Sequence, residues 1–283
     1  MLARLLKYFA FFILFLSYKA DAQYNEMGFL IGGSRYKGEL SRHMFSKDFI
    51  HPAVGFFYRH NWDRRWSWKL EINYGRVSGD DAKAATPFEL DRNLSFYSNI
   101  LDISPLLEFN FLPFETGRYD YPFTPYIFTG ISVFKFNPKA ELNGSKYELQ
   151  PLGTEGQGSN GFKKYKRLQL AIPIGGGIKI SVGNIGIGLE VGARRAYTDY
   201  LDDVSTLYPE MATLSAANGP AAVLLSDRSF SRLDTSSAIP TVYMKQRGNA
   251  SDKDWYLFAG ITIFWRLSGT LKEICEPFKF RRY

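Results

Sequence analysis

The chain has 283 residues, 17% aromatic and 22% charged, with a formal net charge of +7 and a single cysteine, Cys275. One cysteine excludes an intramolecular disulfide. The basic residues are scattered, with no RRM, zinc-finger or helix-turn-helix signature beside them, which argues against a nucleic-acid binder. A negative mean hydropathy with so many aromatic residues suits a membrane β-barrel, in which apolar residues take every second strand position.

The first predicted element is a targeting segment. Arg4 and Lys7 precede an apolar run from Tyr8 to Leu16, and the triplet Ala20-Asp21-Ala22 follows. That is the order of a secretory signal. The run is shorter than the ~20 residues of a spanning helix. Residues 1–22 are expected to be a signal peptide, cleaved before Gln23, and no lipidation cysteine follows the cut.

From residue 23 to 267 a period-two pattern recurs about eight times. Glu26 to Tyr36 is the first instance. His51 to Trp62 follows, with Val54, Phe56 and Tyr58 outward and Ala53, Gly55 and Arg59 inward. After Asp63-Arg64-Arg65 comes the clearest strand. Trp66, Trp68, Leu70, Ile72 and Tyr74 share one face, and Ser67, Lys69, Glu71, Asn73 and Gly75 the other. Leu101 to Phe111 alternates in the same way, with Asp102, Ser104, Glu108 and Asn110 inward. The aromatic segment Thr124 to Phe136 is less clean. Leu168 to Ile180 and Ile185 to Val191 flank Gly183-Asn184, a strong hairpin signal. The last strand runs from Trp255 to Arg266.

The connections alternate between short (63–65, 183–184) or intermediate (113–123) and long (37–50, 79–95, 137–167, 199–253). Short periplasmic turns and long extracellular loops are the layout of outer-membrane barrels, and an even strand count would put both termini in the periplasm. Loop 199–253 is too long to be featureless. Pro209–Asn218 and Ala221–Asp227 read as short helices broken at Gly219-Pro220. The predicted fold is therefore an eight-stranded antiparallel transmembrane β-barrel with short helices in a long extracellular loop. Beyond it lies a tail, 268–283.

Eight strands enclose an interior that side chains can fill. Arg59, Lys69, Glu71, Glu108, Lys179, Glu190 and Arg194 fall on the inward face. Such charges are tolerable only when paired, so a Glu–Arg/Lys network plugging the lumen is expected. No metal-ligand spacing joins His43, His51 and His60, no G-x-S-x-G motif occurs, and the run Gly175-Gly176-Gly177 lacks the spacing of a phosphate loop. No cofactor, small-molecule substrate or catalytic residue is expected. The tail carries Cys275, Arg281 and Arg282, candidates for docking a periplasmic partner, with Cys275 available for an intermolecular disulfide. A frayed terminus is the plainer reading.

Three segments carry a family resemblance: PYIFTGISVFKFNPKA (125–140), GLEVGARRAYTDYLDDVS (188–205) and GPAAVLLSDRS (219–229). The chain resembles the PorG-like (DUF6089) outer-membrane barrels of Bacteroidota, the 198–204 block being the most specific part. The resemblance implies a non-enzymatic component of the type IX secretion apparatus, associated with a periplasmic ring containing a lipoprotein. Cys275 is the residue it nominates for that contact. Two other functions remain open: a surface-binding adhesin or receptor using loop 199–253, and an outer-membrane hydrolase built on His51 or His60.

Overall fold

The alternation in the sequence becomes a closed cylinder. The computed structural model describes residues 23–42, 49–159, 162–229 and 245–267. Its strands are β1 (Tyr24–Lys37), β2 (His51–Asn61), β3 (Trp66–Asp80), β4 (Ser95–Asn110), β5 (Phe123–Gly130), β6 (Ser132–Lys135), β7 (Pro138–Leu142), β8 (Ser145–Glu148), β9 (Leu168–Val182), β10 (Ile185–Ala196) and β11 (Trp255–Leu267). Every pairing is antiparallel. β1 pairs with β2 and with β11, and β3 with β4, so the order β3-β2-β1-β11-β10-β9-β5-β4 closes on itself. β5 and β6 make one wall between β4 and β9, interrupted at Ile131, which gives eight walls in all. A closed sheet leaves no unpaired edge, the condition for strands to cross a bilayer.

The pleat sorts the side chains. Along β3, Ser67, Lys69, Glu71 and Asn73 are fully buried while Trp66, Ile72 and Tyr74 are exposed. The outer surface is a belt of large apolar residues, among them Phe29, Ile31, Leu101, Ile103, Ile178, Ile187 and Ile261. Apolar outside and charged inside inverts a water-soluble protein and matches a barrel solvated by lipid. Trp62, Trp66, Phe111 and Phe123 lie exposed at one rim, where Trp66 packs on Phe109 with ring centroids 4.8 Å apart. Among the described residues no helix is long and apolar enough to cross a membrane.

The two ends differ. Both ends of the barrel sequence, Tyr24 and Leu267, lie at the short-turn end, where Asn25 is in register with Leu267 and Tyr24 with Asn61. The strands run past the apolar belt at the other end, into a cap of long loops with four short helices: α1 (Pro87–Arg92), α2 (Leu149–Leu152), α3 (Met211–Asn218) and α4 (Pro220–Ser226). α1 is capped by Thr86, whose Oγ1 accepts from the Glu89 amide at 3.3 Å and donates to Glu89 Oε2 at 2.7 Å. α3 and α4 are the two helices predicted in loop 199–253. They break at Gly219, whose φ of 85° suits glycine, and Pro220 then opens α4. Tyr208, Met211, Leu214 and Ala222 close a small core beneath them. Loop 137–167 is not the plain connection the sequence suggests, because it contains the hairpin β7–β8, turned at Asn143-Gly144 with both residues at positive φ.

Candidate functional site

The strand register brings the seven inward charges together. Arg59 Nη1 meets Glu26 Oε2 at 2.8 Å, and its Nε lies 3.2 Å from Glu108 Oε1. Lys179 donates to Glu108 as well. Lys69 Nζ is 2.7 Å from Glu190 Oε2 and 3.8 Å from Glu71 Oε2, and Arg194 Nη2 is 3.3 Å from Glu71. Tyr126 Oη adds a 2.6 Å bond to Glu190. Glu26 is the member absent from the inward charges read off the sequence. Aromatic faces pack the same cations: Arg59 lies 4.9 Å from the ring centroids of both Phe57 and Phe264, and Lys69 4.9 Å from that of Phe128. These side chains are almost wholly inaccessible.

Both ends of this layer are covered. At the short-turn end the connection 111–122 folds inward. Phe114 packs against Phe57 and Phe264, and Thr116 donates to Glu26. Glu115 there takes Arg64 at 3.1 Å and Arg266 at 3.2 Å. Toward the cap the lumen turns apolar: Tyr36, Phe96, Ile100, Phe134, Tyr256 and Phe258 belong to one buried cluster. Small inward residues make room for aromatic rings elsewhere in the lumen. A Cβ on Gly186 would stand 2.0 Å from the Phe264 ring, and one on Gly175 2.3 Å from Phe128.

The cap has buried polar chemistry of its own. Arg247 donates to Glu155 Oε1 at 2.9 Å, to the Asp203 carbonyl at 2.5 Å and to the Ser226 carbonyl at 3.1 Å. Arg92 holds Asp81 in a two-pronged pair at 2.7 and 2.8 Å and donates to the Arg247 carbonyl at 2.7 Å. Asp203 accepts from Thr154 and from Tyr165 Oη at 2.7 Å. Burial pushes its carboxyl up to about 6, against the pull of Arg247.

Next to it four carboxylates converge. Tyr36 Oη lies 2.5 Å from Asp202 Oδ2 and 2.9 Å from Asp254 Oδ1. The Leu201, Val204 and Asn249 amides donate to Asp254, Asp202 and Glu39 at 2.9, 2.9 and 3.1 Å. Asp199 completes the group. Burial, reinforced by the neighbouring Asp202 and Asp199, raises Glu39 to about 9; burial brings Asp199 and Asp202 to about 7. None of the four was singled out as a site residue from the sequence. The available signal was the acid-rich block Asp199-Tyr200-Leu201-Asp202-Asp203, whereas Glu39 and Asp254 come from remote loops.

The partner-docking candidates Cys275, Arg281 and Arg282 lie outside the described residues, as do the signal peptide, the tail 268–283 and His43. His60 Nδ1 sits 2.6 Å from Asn25 Oδ1. His51 Nε2 is 2.7 Å from Ser78 Oγ, but the charge acting on that ring is the cation Arg76, where a Ser–His–carboxylate site places an anion.

A closed eight-walled antiparallel cylinder with an apolar outer belt, a polar filled lumen and one elaborated end defines a small transmembrane β-barrel of the outer-membrane type. The chain belongs to the family described as Domain of unknown function (DUF6089), whose model matches residues 4–218. No curated protein sequence matches it. Among solved structures it is similar to Ail, the attachment invasion locus protein of Yersinia pestis, in complex with the heparin analogue sucrose octasulfate (10% identity, 87% of this chain and 97% of that one, TM-score 0.38). Neisserial surface protein A is similar over the same shares at 8% identity and TM-score 0.38. So is the N-terminal β-barrel domain of Pseudomonas aeruginosa OprF, at 10% identity and TM-score 0.34. The fold assignment rests on the strand register and the two sorted faces, not on these likenesses.

Proposed function

We propose that this chain is a non-enzymatic outer-membrane component of the type IX protein secretion apparatus, which anchors or stabilises a periplasmic ring lipoprotein at its short-turn end. One observation carries the reading: the lumen is packed with paired charges and sealed at both ends, so the barrel acts through its two ends and not as a conduit. Membership of the DUF6089 family and the resemblance of the 198–204 block supply the link to secretion. In this reading the short turns and both termini face the periplasm, and the tail 268–283, with Cys275, Arg281 and Arg282, is the docking segment.

Clean deletion of the gene should abolish export of cargo bearing the type IX sorting signal, measured as cargo in the culture medium. Undiminished export would overturn the proposal. A second reading, a surface receptor, is favoured by a cleft of about 440 Å³ in the cap, lined by Glu155, Tyr200, Tyr208, Pro209, Glu210 and Leu214 among others. The two separate by truncation. An anchor loses cargo export when 268–283 is removed, and a receptor loses function when the cap is trimmed.

A further inference from the structure

Two of the four cap carboxylates keep oxygens that the described residues leave without a hydrogen-bond partner. Tyr36 has a single hydroxyl proton, yet its oxygen stands within bonding distance of both Asp202 and Asp254. Asp199 is 3% exposed, and neither of its carboxylate oxygens makes a well-formed hydrogen bond, although Ser205 lies near enough to stabilise its charge. Glu39 Oε2 is buried and unpartnered too. Of the nearby cations, Arg92 is paired with Asp81 and Arg42 with Glu89, while Lys253, which donates to the Ala250 carbonyl at 2.7 Å, acts on Asp199 through its charge. A buried carboxylate left without a partner is costly.

We propose that Glu39, Asp199 and Asp254 form a binding site for a calcium ion that ties the cap to the barrel. One oxygen from each lies within 4.8 Å of the other two. Oxygens bound to a common calcium at about 2.4 Å stand no more than about 4.8 Å apart, so the three meet the spacing that a shared ion requires. The donors are all carboxylate oxygens with no histidine or cysteine, which selects a hard cation over zinc or copper. The three residues come from separate places: the loop after β1, the loop after β10, and the residue that precedes β11. Flexible, multi-segment coordination suits calcium better than magnesium, which demands near-octahedral geometry. A cleft of about 200 Å³ reaches Glu39 and is lined also by Asn249, Asp252 and the cations Lys37, Arg42 and Lys253. The bound ion would neutralise Asp199 and fasten the 199–203 block, from which Asp203 reaches Thr154 and Tyr165 of the neighbouring loop.

The test uses the full mature protein in detergent micelles, with terbium as the luminescent calcium substitute. Tyr36, hydrogen-bonded to Asp254, is the built-in sensitiser. Tyrosine-excited terbium emission should appear, calcium should displace it, and Asp199→Asn should weaken binding at least about tenfold. Asp120→Asn, an exposed acid at the short-turn end, should leave it unchanged. Glu39→Gln serves as the second variant should Asp199→Asn fail to give the heat-modifiable folded form. In the wild type, chelation with EDTA should speed protease cleavage within the cap several-fold. Absence of calcium-displaceable emission, or emission equal to wild type in a folded Asp199→Asn or Glu39→Gln protein, would overturn the site. Either result is separable from the secretion reading, which is tested by cargo export.

Discussion

Replacing Glu108 with leucine should destabilise the barrel by about 3–5 kcal/mol, because it removes a buried anion that two buried cations share. Glu108 accepts from Lys179 and lies 3.2 Å from Arg59, and all three side chains are essentially inaccessible. Arg59 keeps Glu26 at 2.8 Å, whereas Lys179 loses the only anion with which it is paired in the described structure. The loss should therefore be concentrated on Lys179. Adding Lys179→Met to Glu108→Leu should recover a large part of it, since two apolar side chains of similar size need no counter-charge. Urea unfolding in detergent, followed by tryptophan fluorescence and heat-modifiable migration, reads both effects. A Glu108→Leu loss below about 1 kcal/mol would mean that water, not protein, compensates these charges.

The second large effect is steric. Gly32 of β1 lies opposite Gly260 of β11 and Ala53 of β2. A Cβ at position 32 would stand 2.0 Å from the Ala259 carbonyl oxygen and 2.5 Å from Gly260 Cα. Both obstacles are backbone, so no rotamer change relieves them. Gly32→Ala should cost at least about 1–3 kcal/mol, and Gly32→Val should prevent the strand that closes the barrel from pairing. Gly33 is the control. Its nearest obstacle is Ile50 Cγ2 at 2.9 Å, the end of an exposed side chain that can move aside, so Gly33→Ala should cost less than about 1 kcal/mol. Folding yield from urea into micelles separates the two positions.

Much of the barrel was legible because one face of each wall meets lipid and the other does not. Trp66 to Gly75 alternates without a fault, and its inward Lys69 and Glu71 could be named from the sequence. The walls became harder to read where both faces are apolar. The Thr124–Phe136 segment carries inward Tyr126, Phe128, Phe134 and Phe136 as well as outward Ile127 and Val133, so period two gives no contrast there. For the same reason the apolar upper lumen around Tyr36, Phe96 and Tyr256 was invisible. The β7–β8 hairpin had an Asn143-Gly144 signal, but its strands are only five and four residues long and lack clean alternation.

The partners inside the lumen could not be read at all. Lys69 and Glu190 are 121 residues apart, and their meeting depends on barrel closure and on the stagger of every intervening strand. The cap acids illustrate the same limit: Tyr36 and Asp254 are 218 residues apart in sequence and in contact in space.

The lumen is closed by its own side chains. Single-channel recording of the purified wild-type barrel in a planar bilayer tests this most directly. A sealed interior predicts insertion without stable conductance steps at neutral pH in ordinary salt. Reproducible open-channel steps from the wild-type protein would contradict it, and would move the function from the ends of the barrel back to its lumen.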